Sequence, residues 1–405
     1  MLYAPIFETN LITSRNPSGR IPASIWAIGF VSLLMDTSSE LIHGLLPVFL
    51  VTTLGASAFT VGLIEGLAES TALIVKVFSG MLSDYLGKRK LLAVAGYGLG
   101  ALSKPIFALA SSAGMVLAAR LIDRTGKGMR GAPRDALVAD LTPPEIRGAA
   151  FGLRQALDTV GAFLGPLLGM GLMLLWANDF RAVFWVAIIP GMLSVGLLIF
   201  GVHEPEHATD GQRTNPLRSE NLRRLPKPYW RVVGIGAVFT LARFSEAFLI
   251  LRAQQGGLPI AYAPLVLVVM NVVYALAAYP FGKLADSMKR SSLLMLGAVV
   301  LITADLALAH GGLAGWVWTG VALWGLHMGM TQGLLATMVA QAAPPDIRGT
   351  AFGIFNLTSG LAMLVASALA GLLWDAQGAP ATFLAGAAFS VLALALMLLH
   401  RVGAE

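Results

Sequence analysis

The stretch Pro143-Pro144-Glu145-Ile146-Arg147-Gly148-Ala149-Ala150-Phe151-Gly152 recurs almost unchanged as Pro344-Pro345-Asp346-Ile347-Arg348-Gly349-Thr350-Ala351-Phe352-Gly353. Self-similarity at a fixed separation is the signature of a duplicated architecture. A second pair, Gly80-Met81-Leu82-Ser83-Asp84 and Gly282-Lys283-Leu284-Ala285-Asp286, stands apart by nearly the same number of residues. The chain therefore reads as two equivalent halves.

The material between these repeats is apolar. Of 405 residues, 56% are hydrophobic and 12% charged, with a mean hydropathy of +0.74. An ordinary soluble domain carries about 25% charged residues, so the chain is solvated mainly by lipid. Its 45 glycines suit membrane helices, where small residues let backbones approach closely. The absence of cysteine excludes disulfides, thiolate metal sites and cysteine nucleophiles. In a soluble protein a net charge of +6 would suggest nucleic acid; here it points to basic loops facing the cytoplasm, and no nucleic-acid partner is expected.

Apolar stretches of about 20 residues, the length that crosses a bilayer, number twelve. They begin near Ile21, Thr60, Leu91, Met115, Ala149, Ala182, Arg231, Ala263, Ser292, Trp316, Thr350 and Thr382. The first 20 residues are polar and lack the short apolar core of a cleavable signal peptide, so the first span is expected to be permanent. A long polar segment separates the sixth and seventh spans. The predicted division is a cytoplasmic N-terminal segment at 1–20, a six-helix bundle at 21–202, a cytoplasmic linker at 203–228 and a second six-helix bundle at 229–405. Basic residues at Lys88-Arg89-Lys90, Arg147, the linker, Lys289-Arg290, Arg348 and Arg401 alternate with loops that carry none, around Ser57, Ser112, Gly312 and Gly378. That asymmetry predicts cytoplasmic termini and an inner-membrane location, with Arg181 and Arg252 as exceptions.

Three motifs now resemble those of the major facilitator superfamily. Gly80-x-x-x-Asp84-x-x-Gly87-Lys88-Arg89 is similar to the superfamily's loop motif between spans two and three, with Tyr85 where the family usually has arginine. Arg120 matches its intramembrane arginine motif. Gly161-x-x-x-Gly165-Pro166-x-x-Gly169 is similar to the antiporter motif of drug:proton antiporters, although Met170 replaces the final glycine. The resemblance implies an all-α membrane protein of twelve transmembrane helices in two pseudo-symmetric bundles, a transporter and not an enzyme, using no cofactor. Asp84 and Lys88-Arg89-Lys90 would then contact the other half and hold one gate shut. The glycines, four residues apart, line one helix face and let a neighbour approach, while Pro166 bends the span.

Charges at membrane depth are costly and mark pathways or proton relays. In the fourth span Arg120, Asp123, Arg124, Lys127, Arg130 and Arg134 fall within an arc of about 120°, a stripe about 20 Å long. Arg120 and Arg124 are expected in the cavity, Arg130 and Arg134 nearer the cytoplasmic headgroups. Asp36, Glu40 and His43 share a face of the first span with Ser39 beside them; Glu65 and Glu69 lie one turn apart in the second. Arg154 with Asp158, and Arg243 with Glu246, are spaced as helical ion pairs. Asp36, Glu40, Glu65, Glu69 and Asp158 are the candidate proton carriers, since an acid beside another acid or in a dry cavity can exchange protons near neutrality. His43, Arg120, Asp123, Arg124, Arg154, Arg243 and Glu246 are the candidate substrate contacts. His327 is expected to pack, and Asp305 and His310 to lie at the interface.

The function expected is proton-coupled efflux of a small organic solute by alternating access, by a monomer in the lipid bilayer. Proton-symport uptake of an organic anion or siderophore shares every helix and stays open. So does divalent metal export through Asp36, Glu40 and His43 with Glu65 or Glu69, although one helical face offers too few ligands and no metal site is assigned.

Overall fold

A computed structural model describes residues 21–86, 88–204, 222–310, 314–331 and 333–399. Among these residues every regular element is helical. The helices are α1 Ala23–His43, α2 Ala58–Leu86, α3 Arg89–Leu109, α4 Ala113–Asp140, α5 Arg147–Leu175, α6 Phe180–Val186 and α7 Ile188–Gly201. Then come α8 Lys227–Leu241, α9 Ala247–Gln255, α10 Leu265–Ser287, α11 Arg290–His310, α12 Ala314–Thr331, α13 Leu334–Ala342, α14 Arg348–Gln377 and α15 Ala379–Leu399. The expected segment 1–20, most of the linker and Gly87 lie outside the described residues.

The repeat folds the same way twice. Pro144–Ile146 and Pro345–Ile347 each form one 3₁₀ turn, and a long helix follows at Arg147 and at Arg348. Proline suits such a start because its fixed φ is already helical and its missing N–H would have had no partner. Arg147 Nε donates to the Thr142 carbonyl at 3.3 Å, and Arg348 Nε to that of Ala340 at 3.0 Å, tying each helix to the preceding segment.

Among the described residues, nine of the twelve expected spans are long and apolar enough to cross a membrane. The charge stripe removes α4 from that set, and two further apolar stretches are divided, into α8 with α9 and α12 with α13, whereas α6 and α7 together still make one of the nine, Phe180–Gly201. The last break falls at Gly333, whose φ of +79° no continuing helix accepts.

Burial shows how the two ends differ. One core cluster contains residues from both halves, including Leu45, Phe49 and Phe184 with Phe248, Trp324 and Phe383. At the opposite end there are two separate clusters. Ile25, Tyr97, Leu137 and Leu198 form one, and Tyr229, Phe239, Leu293 and Met338 the other. The molecule is sealed across its halves at one end and parted at the other. The seal runs along α2 and α14, where Gly62 abuts the Ser367 carbonyl and Gly66 the Leu364 backbone. Ser70 Oγ donates to the Gly360 carbonyl at 2.6 Å.

Candidate functional site

The charged face of α4 is the hub of the first half, and four helices bring it countercharges. From α2, Glu65 accepts from Arg120 Nε at 3.0 Å and from Nη2 at 2.5 Å, a bidentate pair with side chains only 1% and 2% exposed. One turn further along, Glu69 Oε1 lies 3.3 Å from Arg124 Nε and is 33% exposed. From α3, Lys104 Nζ donates to Asp123 Oδ1 at 2.7 Å and to Ser39 Oγ at 3.0 Å. From α1, His43 bridges two acids, with Nδ1 3.1 Å from Glu40 and Nε2 3.6 Å from Glu65. Lys127, on the same face of α4, is exposed and forms no ion pair.

Toward the parted end the stripe continues into a second cluster. Arg130 Nη2 lies 3.4 Å from Asp36 Oδ1, and its guanidinium stands 4.7 Å from the centre of the Tyr97 ring. Arg134 Nη1 reaches Asp158 at 3.5 Å and Ser32 Oγ at 3.2 Å, while its Nε contacts Asp135 at 3.1 Å. Arg154 forms the expected pair with Asp158, Nη1 to Oδ2 at 3.6 Å. Asp36 and Asp158 are electrostatic neighbours, each held by one arginine of α4 and 20% and 23% exposed. Arg130 and Arg134 thus belong to the same charge network. Helical periodicity put them on the right face; what it could not show was that α1 and α5 carry acids to the same depth.

Lys104 and Tyr97 are the members of this site that sequence reasoning missed. Lys104 is 1% exposed and carries the main countercharge to Asp123. The signal was a lone lysine beside Pro105 in an otherwise apolar span, and charge without a neighbour in sequence drew no attention to it. Among the described residues no group of three or more His, Asp or Glu is arranged to hold a metal ion. Glu40, His43 and Glu65 do meet, but Arg120 occupies both oxygens of Glu65, and a cation there would face a guanidinium.

The second half corrects two expectations. Arg243 and Glu246 form no ion pair, because α8 ends at Leu241 and α9 begins at Ala247, so the helical i,i+3 geometry does not exist between them. Both side chains are half-buried. Glu246 lies within electrostatic range of Glu40, His43 and Glu69 of the first half. Asp305 is not interfacial: it is 0% exposed, and neither carboxyl oxygen has a hydrogen-bond partner. His327 packs as expected, its Nδ1 2.8 Å from the Gly297 carbonyl and its ring against Phe239.

The two motifs behave differently. The gating residues Lys88, Arg89 and Lys90 were expected to contact the other half. Arg89 instead pairs with Asp140, the Arg89 and Lys90 amides donate to Glu204 at 2.5 and 3.1 Å, and Lys90 Nζ donates to the Ile199 carbonyl at 2.8 Å. All these partners lie in the first half, as the parted cores at this end require. Gly80 packs beside Ala132; Gly87 and the Asp84 side chain lie outside what is described. The antiporter-like glycines meet the expectation of close packing. Gly161, Gly165 and Gly169 abut α1 at Leu33, Thr37 and Leu41, so equal steps of four residues run along both helices. Pro166 is buried beside them. This seam sets the depth of Asp36 and Glu40 relative to Asp158.

Comparison with known proteins agrees with this architecture. The model of the Major Facilitator Superfamily matches residues 28–367. Over 400 residues the chain is 33% identical to an uncharacterized MFS-type transporter of Methanocaldococcus jannaschii, covering 97% of this chain and 98% of the relative. It is 28% identical over 242 residues to the quinolone resistance protein NorA of Staphylococcus aureus, covering 59% of this chain and 60% of NorA. The crystal structure of the nucleoside transporter NupG has the same fold, with a TM-score of 0.73 over 94% of this chain and all of that one (100%), at 13% identity. A duplicated helical chain with its charge gathered inside, matched by that model across most of its length, is a multi-pass membrane transporter and belongs to the Major Facilitator Superfamily.

Proposed function

We propose that this transporter exports a small organic solute in exchange for protons, and that Asp36 and Asp158 together hold the exchanged proton. The reading takes 21–202 and 229–405 as two six-helix bundles, twelve spans in all, joined by the linker 203–228. It acts as a monomer in the inner membrane with both termini in the cytoplasm. On this orientation the parted end, which carries Lys88, Arg89, Arg147 and Arg348, opens to the cytoplasm, and the sealed end faces outward.

The observation that carries the proposal is that Asp36 and Asp158 are electrostatic neighbours, held by Arg130 and Arg134 respectively and each about one-fifth exposed. Two carboxyl groups that close hold one proton between them more readily than both ionise. With the proton bound, their hold on Arg130 and Arg134 weakens; when it leaves to cytoplasmic water, both ion pairs tighten. α1, α4 and α5 therefore have two discrete charge arrangements, and a solute that prefers the deprotonated one competes with the proton. Similarity to a quinolone resistance protein supports the outward direction, as does the glycine seam.

Everted membrane vesicles with an imposed pH gradient test the reading. Accumulation of solute driven by an acidic interior is expected, from a panel of organic cations, anions and zwitterions. Asp36→Asn and Asp158→Asn should each abolish solute-driven proton movement while downhill exchange of the same solute continues. Proton coupling that survives both substitutions would sink the assignment of the carrier. Accumulation that requires the opposite gradient would reverse the direction.

A further inference from the structure

Asp305 plays no part in the network above. It sits on α11, five residues before His310, in the core cluster's sealed end. Both oxygens are buried without a hydrogen-bond partner. Gly386 of α15 makes room for it: a Cβ there would lie 2.7 Å from Asp305 Oδ2 and 2.9 Å from the Phe244 ring. Phe244 belongs to an aromatic plug, with ring centres 5.6 Å from Phe248, 5.4 Å from Trp324 and 5.5 Å from Phe383. Phe248 in turn packs against Trp374 of α14, the ring centres 5.7 Å apart and the planes tilted by 45°, and reaches Gly62 of α2 in the other half. Separating α2 from α14 would uncover this plug first, and Asp305 behind it.

The groups around the carboxyl leave it no countercharge. From α9, Arg252 is spent on the Leu308 and Ala309 carbonyls, at 2.8 and 3.4 Å. His327 on α12 is engaged at Gly297, two turns along α11 and about 12 Å away by helical rise. Arg243, next to Phe244 in the break before α9, forms no ion pair with Asp305. On α11 itself His310 is exposed, its ring centre 5.3 Å from that of Trp316. α15 offers hydroxyls only, at Thr382 and Ser390, and Thr382 donates to the Ala370 carbonyl. An ionised carboxylate cannot persist in such a place, whereas a neutral carboxylic acid can.

We infer that Asp305 is a second proton-binding site, occupied while this end is sealed and emptied into water on the same side when the end opens. The proton enters and leaves from one face, so it is a switch and is not carried across. The carboxylate forms when the aromatic plug parts and water reaches Oδ2; reclosing requires that a proton be taken back. Acid on that side therefore closes this end. The inference rests on the alternating-access reading and not on Asp36 or Asp158.

The chain has no cysteine, so spin labels can be placed cleanly on the full-length protein in lipid nanodiscs. Ser111→Cys with Gln377→Cys reports the sealed end, and Glu145→Cys with Gly349→Cys the parted end. As pH rises, the sealed-end distances of the parent chain should lengthen, the open-to-sealed ratio growing by up to about tenfold per pH unit, the limit for one proton. Asp305→Asn and Asp305→Leu, either of which suffices if the other fails to fold, should shift toward the sealed state and lose the steep rise of opening with pH. The infrared carbonyl band of protonated carboxylic acids should be present in the parent at neutral pH and lose the contribution of Asp305, seen as a negative band in the variant-minus-parent difference spectrum, in both variants. A sealed-end pH response as steep in the variants as in the parent, or an unchanged infrared band, overturns the site and leaves alternating access standing. Distances that never change at either end, with pH or with a proton gradient, overturn alternating access and this site with it.

Discussion

Glu65 and Glu69 are one helical turn apart on α2, yet the same substitution should have opposite consequences at the two. Glu65 is buried with Arg120, and removing one member of a buried, hydrogen-bonded pair strands the other charge at a cost of about 3–5 kcal/mol. Glu65→Gln should therefore unfold at clearly lower temperature in detergent, and its low transport should follow its low abundance. Glu69 is one-third exposed, and exposed pairs contribute about 0–1 kcal/mol. Glu69→Gln should melt close to the parent, so that any loss of flux measured per folded molecule reports on transport. Equal melting temperatures for the two variants would contradict this division. Lys104 belongs with Glu65: Lys104→Met should be destabilised because it leaves Asp123 buried with only the Ser103 hydroxyl at 3.4 Å and Arg124 at 3.9 Å.

At the scale of helices, two contacts decide how the acids are presented and how one end closes. Gly165 approaches α1 so closely that a Cβ would lie 2.7 Å from the Thr37 carbonyl oxygen, and backbone cannot step aside as a side chain can. Gly165→Ala should cost about 1–3 kcal/mol by overpacking and should shift Asp36 against Asp158. Thermal unfolding reads the first effect and solute-driven proton movement the second. The other contact crosses the halves. Asp375, near the end of α14, accepts from the amides of Ala58 and Phe59 at 3.0 and 2.8 Å, capping the first turn of α2. Charge and hydrogen bonding both favour a carboxylate at a helix N-terminus, together worth about 1 kcal/mol. Asp375→Ala should move the open-to-sealed ratio at this end roughly fivefold toward open, as measured by accessibility of a cysteine placed at Ser57.

For the whole molecule, the asymmetry between one shared core and two separate ones means that transport requires the α2–α14 seam to come apart. Ser70→Cys with Gly360→Cys places sulfurs across that seam, where a Cβ at 360 would be 3.5 Å from the Ser70 Cα, within reach of a disulfide. Oxidation should stop transport, and reduction should restore it in the same preparation. Flux that continues with the disulfide formed would show that this end need not open. A pair at Glu145 and Gly349, at the parted end, should not crosslink in this conformation.

The duplicated segment determined much of this by local chemistry. Paired prolines start a helix wherever they stand, apolar runs of bilayer length seek lipid, and charges in such runs must turn inward; each depends only on neighbours in sequence. Even the glycine seam of α5 was visible, because a four-residue step marks one face of a helix. Which acid meets which base was decided by the tertiary structure. Lys104 meets Asp123, Arg130 meets Asp36, and Arg134 meets Asp158 through the depth and rotation of packed helices, which no spacing along one helix encodes. The failed pair Arg243 and Glu246 makes the same point, since the backbone between them leaves the helix. Asp305 makes it most sharply: in sequence it is one acid near a helix end, and only the closure of α15 and the aromatic plug around it removes both water and countercharge.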